Sequence, residues 1–164
     1  MKSAIVFVVS IGCLALLIYY VWKITYLHCC RKIKYYKELS NKFNKMYLVS
    51  EKWIEAHNNN ISIGEYIKKN GWNNVAIYGC GDLGHDLYKC LVNEEANINI
   101  ICGIDNNEKL DFPIKIVSPD QFKEAVDVII VTAVYYFGEV EQLMKEKTSA
   151  DIVSLEEIIF GSLY

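Results

Sequence analysis

The most constraining feature of this chain is a short apolar strand that runs directly into a glycine-rich turn. Val75-Ala76-Ile77-Tyr78 is followed at once by Gly79-Cys80-Gly81-Asp82-Leu83-Gly84, and after the turn Leu83, Leu87, Cys90 and Leu91 recur at helical spacing. A strand, a turn and a helix in that order give the spacing G-x-G-x-x-G a structural context, and each glycine then has its own physical task. Gly79 permits the tight turn off the strand. Gly81 lets another molecule approach the backbone with no Cβ in the way, and Gly84 lets the helix pack closely on the sheet. The free N–H groups and the dipole at the start of such a helix attract phosphate. Asp82 within the turn works against this, because its carboxylate competes for the same donors.

The alternation continues to the end of the chain. A second strand is expected over 98–104, closed by Asp105, and a short third strand over 112–117. Ser118-Pro119 predicts a helix through about Ala125, with proline at its first position. Val128 to Val131 is an unbroken apolar run, the mark of a strand buried on both faces. Phe137, Val140, Leu143 and Met144 form a helical stripe. Residues 151–153 read as a fifth strand, and Ser154 as the cap of a terminal helix. Five strands alternating with helices predict an α/β fold with a doubly wound parallel sheet in the order 3-2-1-4-5. Ligands of such sheets lie beyond the strand C-termini near the switch in strand order. Here that edge carries residues 79–84, Asp105, Thr132 and the aromatic trio Tyr135-Tyr136-Phe137; Tyr135 and its neighbours suit either stacking on a ring or simple packing at a helix start. Asp105 lies about 20 residues past the glycine turn, where a carboxylate that binds a ribose 2′-hydroxyl is expected and a 2′-phosphate would be repelled. The alternative is an ordinary strand-end acid of an Asp-Asn-Asn turn, and the glycines and the distance favour the ribose.

Upstream the composition changes. Hydrophobic residues make up 52% of the 164 and charged residues 23%, which excludes a disordered or collagen-like chain, but they are unevenly spread. Ala4 to Trp22 is nineteen residues without a charge, and Tyr19, Tyr20 and Trp22 gather at its end. At about 1.5 Å per residue a helix of that length matches a bilayer core of roughly 30 Å, so residues 1–22 predict a transmembrane helix with lipid contact over 4–22. The bulky residues where a signal peptidase would cut favour a retained anchor over a cleaved signal. Lys23 to Ser50 holds seven Lys or Arg against Glu38 alone, which predicts a single-pass protein with its C-terminal body in the cytoplasm. Residues 23–60 read as a helical neck, one helix or a pair, with Leu27, Ile33, Tyr36, Leu39, Phe43, Tyr47, Leu48, Trp53 and Ile54 at spacings of mostly three and four. A coiled coil pairing two copies is the alternative there, and the repeat is not strict enough to prefer it. Ser62 followed by Glu65 predicts a capped short helix through Lys69, opening a body of residues 61–164. None of the six cysteines forms a CxxC, no metal site is expected, and Cys29-Cys30 reads either as a modification site or as two inert thiols.

The segments IYGCGDLGHDLY, GIDNN, SPDQF and DVIIVTAVYYFGEV resemble a small Rossmann-like domain of bacterial surface-polysaccharide loci. They are similar also to the N-terminal nucleotide-sugar-binding domain of bacillosamine-type acetyltransferases and to that of membrane-bound polysaccharide epimerases. The resemblance spans roughly Ile61 to Ile159. It implies a nucleotide or nucleotide-sugar ligand, with Gly79, Gly81, Gly84 and Asp105 as its binding residues, and a glycosyltransferase or sugar-modifying partner; with the carboxylate of Asp105 the expected ligand is NAD or a UDP-sugar. No nucleic-acid partner is expected. Catalysis has no evident carrier, since the one Tyr-x-x-x-Lys spacing, Tyr19 to Lys23, lies in the apolar start. His85 is the single histidine near the turn. An accessory binding module, a subunit completed by another chain and a scaffold with a vestigial glycine turn all remain open.

Overall fold

A computed structural model describes residues 2–94 and 96–164; the side chains of residues 2–11, 13 and 15 lie outside the described set. The chain forms two compact units, residues 1–43 and 44–164. Helix α1 (Lys2–Asn58) supplies all of the described secondary structure of the first unit and continues into the second. The expectation of a transmembrane helix over residues 1–22 is corrected here, because among the described residues no helix is long and apolar enough to cross a membrane. The expected neck is likewise one unbroken helix to Asn58 and no pair.

In the second unit α1 gives way to α2 (Ile63–Lys69), β1 (Asn74–Tyr78), α3 (Asp82–Asn93), β2 (Asn99–Ile104), β3 (Ile116–Val117) and β4 (Val128–Val131). A single 3₁₀ turn at Val134–Tyr136 leads into α4 (Phe137–Lys145), then β5 (Asp151–Ser154) and α5 (Leu155–Ser162). All strands pair in parallel in the order β3-β2-β1-β4-β5, as the alternation of strand and helix patterns predicts. Alternate residues of the central strands feed two cores. Val75, Ile77, Val128 and Ile130 meet Ile63, Ile67, Leu87, Leu91 and Ile158 on one face. Ala76, Tyr78, Ile129 and Val131 meet Val140, Met144 and Phe122 on the other. One register shift between Val75 and Ala76 leaves Ile101 as the extra residue of β2, and its side chain is 40% exposed.

Local signals account for most boundaries. The Ser62 hydroxyl accepts the Glu65 amide at the start of α2, and Ser154 accepts the Glu156 amide at the start of α5. Gly71 ends the α2 region at φ +83°, a conformation open to glycine. The helix expected over 118–125 is absent: Ser118–Gln121 is a turn and residues 122–127 carry no regular secondary structure before β4. This link must cross β2 and β1 and also return along the strand length. At about 1.5 Å per residue a helix would consume it before it arrived, whereas extended chain covers about 3.3 Å per residue. Phe122, 5% exposed, pins the link against the sheet.

Candidate functional site

Register builds the site. Tyr78 of β1 pairs with Ile104 of β2 and with Val131 of β4, so the three strands end level. The next residue of each, Gly79, Asp105 and Thr132, therefore stands on one edge. Backbone bonds fix the arrangement: the Gly79 amide donates to the Ile104 carbonyl (2.9 Å), and the Thr132 amide to the Tyr78 carbonyl (2.9 Å). This edge lies at the switch in strand order, between β1 and β4.

The three glycines of the turn differ in what holds them. Gly79 sits at φ +93°, and a Cβ there would come within 2.7 Å of the Thr132 hydroxyl. A Cβ on Gly84 would collide with the Gly79 carbonyl, so α3 rests directly on the turn below it. Gly81, the residue before α3, has an ordinary φ of −82°, and a Cβ there would enter open space. The protein's own conformation requires glycine at 79 and 84 but not at 81. No side chain caps α3.

Asp105 turns toward this loop. Its Oδ2 accepts the Cys80 amide at 2.9 Å, and its Oδ1 accepts the Asn107 amide at 2.9 Å. The carboxylate thus occupies one loop amide and closes its own Asx turn, while each oxygen keeps a further acceptor position. The Thr132 hydroxyl donates within the site, with the Gly79 carbonyl at 2.6 Å and that of Tyr78 at 3.1 Å, and is a structural clasp across the strand ends. Cys80 is buried, and burial with the neighbouring Asp105 carboxylate pushes its thiol up to about 12. The same two causes raise Tyr78 above the usual phenol range.

A cleft of about 370 Å³ opens beside the edge, lined by Gly79, Asp105, Asn106, Ala133, Tyr136, Glu139 and Leu143 among others. Asp82 is exposed at the first position of α3. Of the aromatic trio it is Tyr136, 42% exposed, that lines the cleft; Tyr135 is half-buried and meets the Tyr136 ring edge-on at 5.2 Å. Asn106 and Glu139 escape the sequence reading because a turn and a helix start disclose no facing direction until the sheet order is known. Leu83 points elsewhere, into a larger apolar groove of about 620 Å³ between α3 and residues 50–57. His85 leaves the cleft as well: its Nε2 meets the Asp111 carbonyl, and its ring packs edge-on against Phe112. Among the described residues no group of three His, Cys, Asp or Glu is placed to hold a metal ion.

Comparison with protein-family models, with curated proteins and with solved structures yields no match to this chain.

Proposed function

We propose that the second unit binds a diphosphate-bearing nucleotide, NAD or a nucleotide sugar such as a UDP-sugar, at the C-terminal ends of β1, β2 and β4. The observation that carries this reading is Gly81: a glycine with ordinary backbone angles and open space where its Cβ would be, at the start of an uncapped twelve-residue helix. Glycine at such a position costs chain entropy on folding and satisfies no internal need, so close approach by a phosphate is its rationale. The remaining acceptor positions of Asp105 suit a ribose diol. Asp105 and Glu139 place two carboxylates on the cleft with no Lys or Arg among its lining, which favours NAD over its 2′-phosphorylated form. At about 370 Å³ the cleft is near the small end of ligand sites, a size suited to part of a dinucleotide or to the sugar of a nucleotide sugar. A role beside a glycosyltransferase or sugar-modifying enzyme extends this reading and rests on the resemblance alone.

Thermal unfolding of the full chain with NAD, NADP, UDP and UDP-N-acetylglucosamine tests the proposal. A ligand at 100 times its Kd stabilises by about 2.7 kcal/mol, a shift of several degrees. The expected result is a shift with NAD or the UDP compounds, none with NADP, and its loss in Gly81→Val. No shift with any nucleotide would overturn the reading.

A further inference from the structure

Two interleaved rows of α1, each spaced by three and four, differ in burial. Within the second unit Met46, Val49, Trp53 and Ala56, spaced three, four and three apart, pack into the core, with Val49 and Ala56 fully buried. The other row begins in the first unit with Tyr19, Trp22, Tyr26, Ile33, Tyr36 and Phe43, each 56–67% exposed. With Cys29 and Ser40 in the gaps, these residues alternate by three and four without exception. The same spacing recurs at Tyr47, Ser50, Ile54 and His57, where Tyr47 and Ile54 are 66% and 61% exposed. Every Lys, Arg and Glu between residues 19 and 57 falls off this row. Exposed apolar side chains lie off this row too, at Tyr20, Ile24, Leu27, Tyr35 and Leu48, but the row itself keeps heptad spacing without a charge from Tyr19 to His57.

We infer that this row is a homotypic interface, through which α1 of one copy pairs with α1 of a second. A seam of alternating three and four fits the same seam on another helix, because each residue enters a hole made by four others. Aromatic side chains of about 150–250 Å² at this exposure offer two copies on the order of 1,500 Å² of buried surface, within the roughly 1,200–2,000 Å² of a specific, stable interface. The charges flanking the first unit's part of the row, Lys23, Lys32 and Lys37, are of one sign. Pairing of like copies therefore tightens as salt screens them, whereas binding to an acidic partner or an anionic surface loosens.

Tyr35 and Tyr36 supply a matched test, being adjacent, chemically identical and 60% and 61% exposed, with only Tyr36 in the row. Sedimentation equilibrium of the full chain is expected to give a dimer that Tyr36→Glu or Ile33→Lys weakens at least about tenfold and Tyr35→Glu leaves within about twofold. Both tyrosines are surface residues, so an unchanged unfolding transition in each variant verifies the fold. A monomeric wild type, equal losses in the two tyrosine variants, weakening of the dimer by salt, or a monomer that instead floats with phosphatidylcholine vesicles would each overturn the inference.

Discussion

At the N-terminal ends of the strands, acids close the structure; at the C-terminal ends, an acid closes only part of it. Asp127 Oδ2 accepts the amides of Asn73 and Asn74 at 2.8 and 2.7 Å and the Asn74 side chain at 3.3 Å, and the Trp72 indole donates to Asp151 at 2.7 Å. On the opposite edge Asp105 takes one amide of the glycine turn and one of its own loop, and the start of α3 carries no cap. Both edges need a carboxylate to bring together amides that strand pairing does not satisfy. The difference lies in the residual capacity that the C-terminal edge keeps.

The contrast is breakable by substitution. The largest effect is expected at Gly84→Ala, where a new methyl meets the Gly79 carbonyl; a loss of about 2–3 kcal/mol in chemical unfolding is expected. Gly79→Ala follows, at about 1–2 kcal/mol, from the positive φ and the Thr132 hydroxyl. The N-terminal edge is probed by pH. The amides of Asn74 and Asn73 hold the Asp127 carboxyl below its usual value. Its contribution is complete above the unfolded carboxylate range near pH 4 and is lost as pH falls through the depressed folded value. Asp127→Asn is therefore expected to lower the midpoint of thermal unfolding at pH 7 and to flatten its acid dependence, with nucleotide binding unchanged. Gly81→Ala is expected to change stability by no more than about 0.5 kcal/mol while weakening nucleotide binding at least tenfold. If it destabilises as Gly84→Ala does, the distinction between inward and outward glycines fails. The smallest effect is chemical: Cys80 and Cys102, raised to about 12 and about 11 by burial, stay unreactive to a thiol reagent at pH 8 until the chain unfolds, whereas exposed Cys30 reacts at once.

Sequence patterns carried the sheet well, for a physical reason. Val75–Tyr78 and Val128–Val131 are buried on both faces, so their identities follow from pairing and burial alone, and the strand order follows from right-handed crossovers. The link 118–127 was harder to read. Ser-Pro is a sound helix start, but its outcome depends on the distance to be spanned, which is a property of the finished sheet. The cap on α2 was similarly half legible. Ser62 holds the Glu65 amide, yet the Ser62 hydroxyl and the amides of Ile63 and Gly64 converge on Glu94, thirty or so positions away. At the site, the glycine spacing announced the turn. It gave no sign that Asp105 would bond the Cys80 amide, or that Tyr136 and Glu139 would line the cleft. Side-chain direction after a strand end is set by the loop, and loop geometry has no period to read.

The level ending of β1, β2 and β4 has a consequence for how such a protein changes over time. Because pairing stops at Tyr78, Ile104 and Val131 together, the chain leaves the sheet there along separate connections, in which Cys80 and Val134 are still buried while Asn106, Tyr136 and Glu139 stay exposed. Substitutions at Asn106, Tyr136 or Glu139 therefore reshape the surface of this edge with little effect on the sheet. Selection is thus free to retune this edge one position at a time upon an unchanging floor.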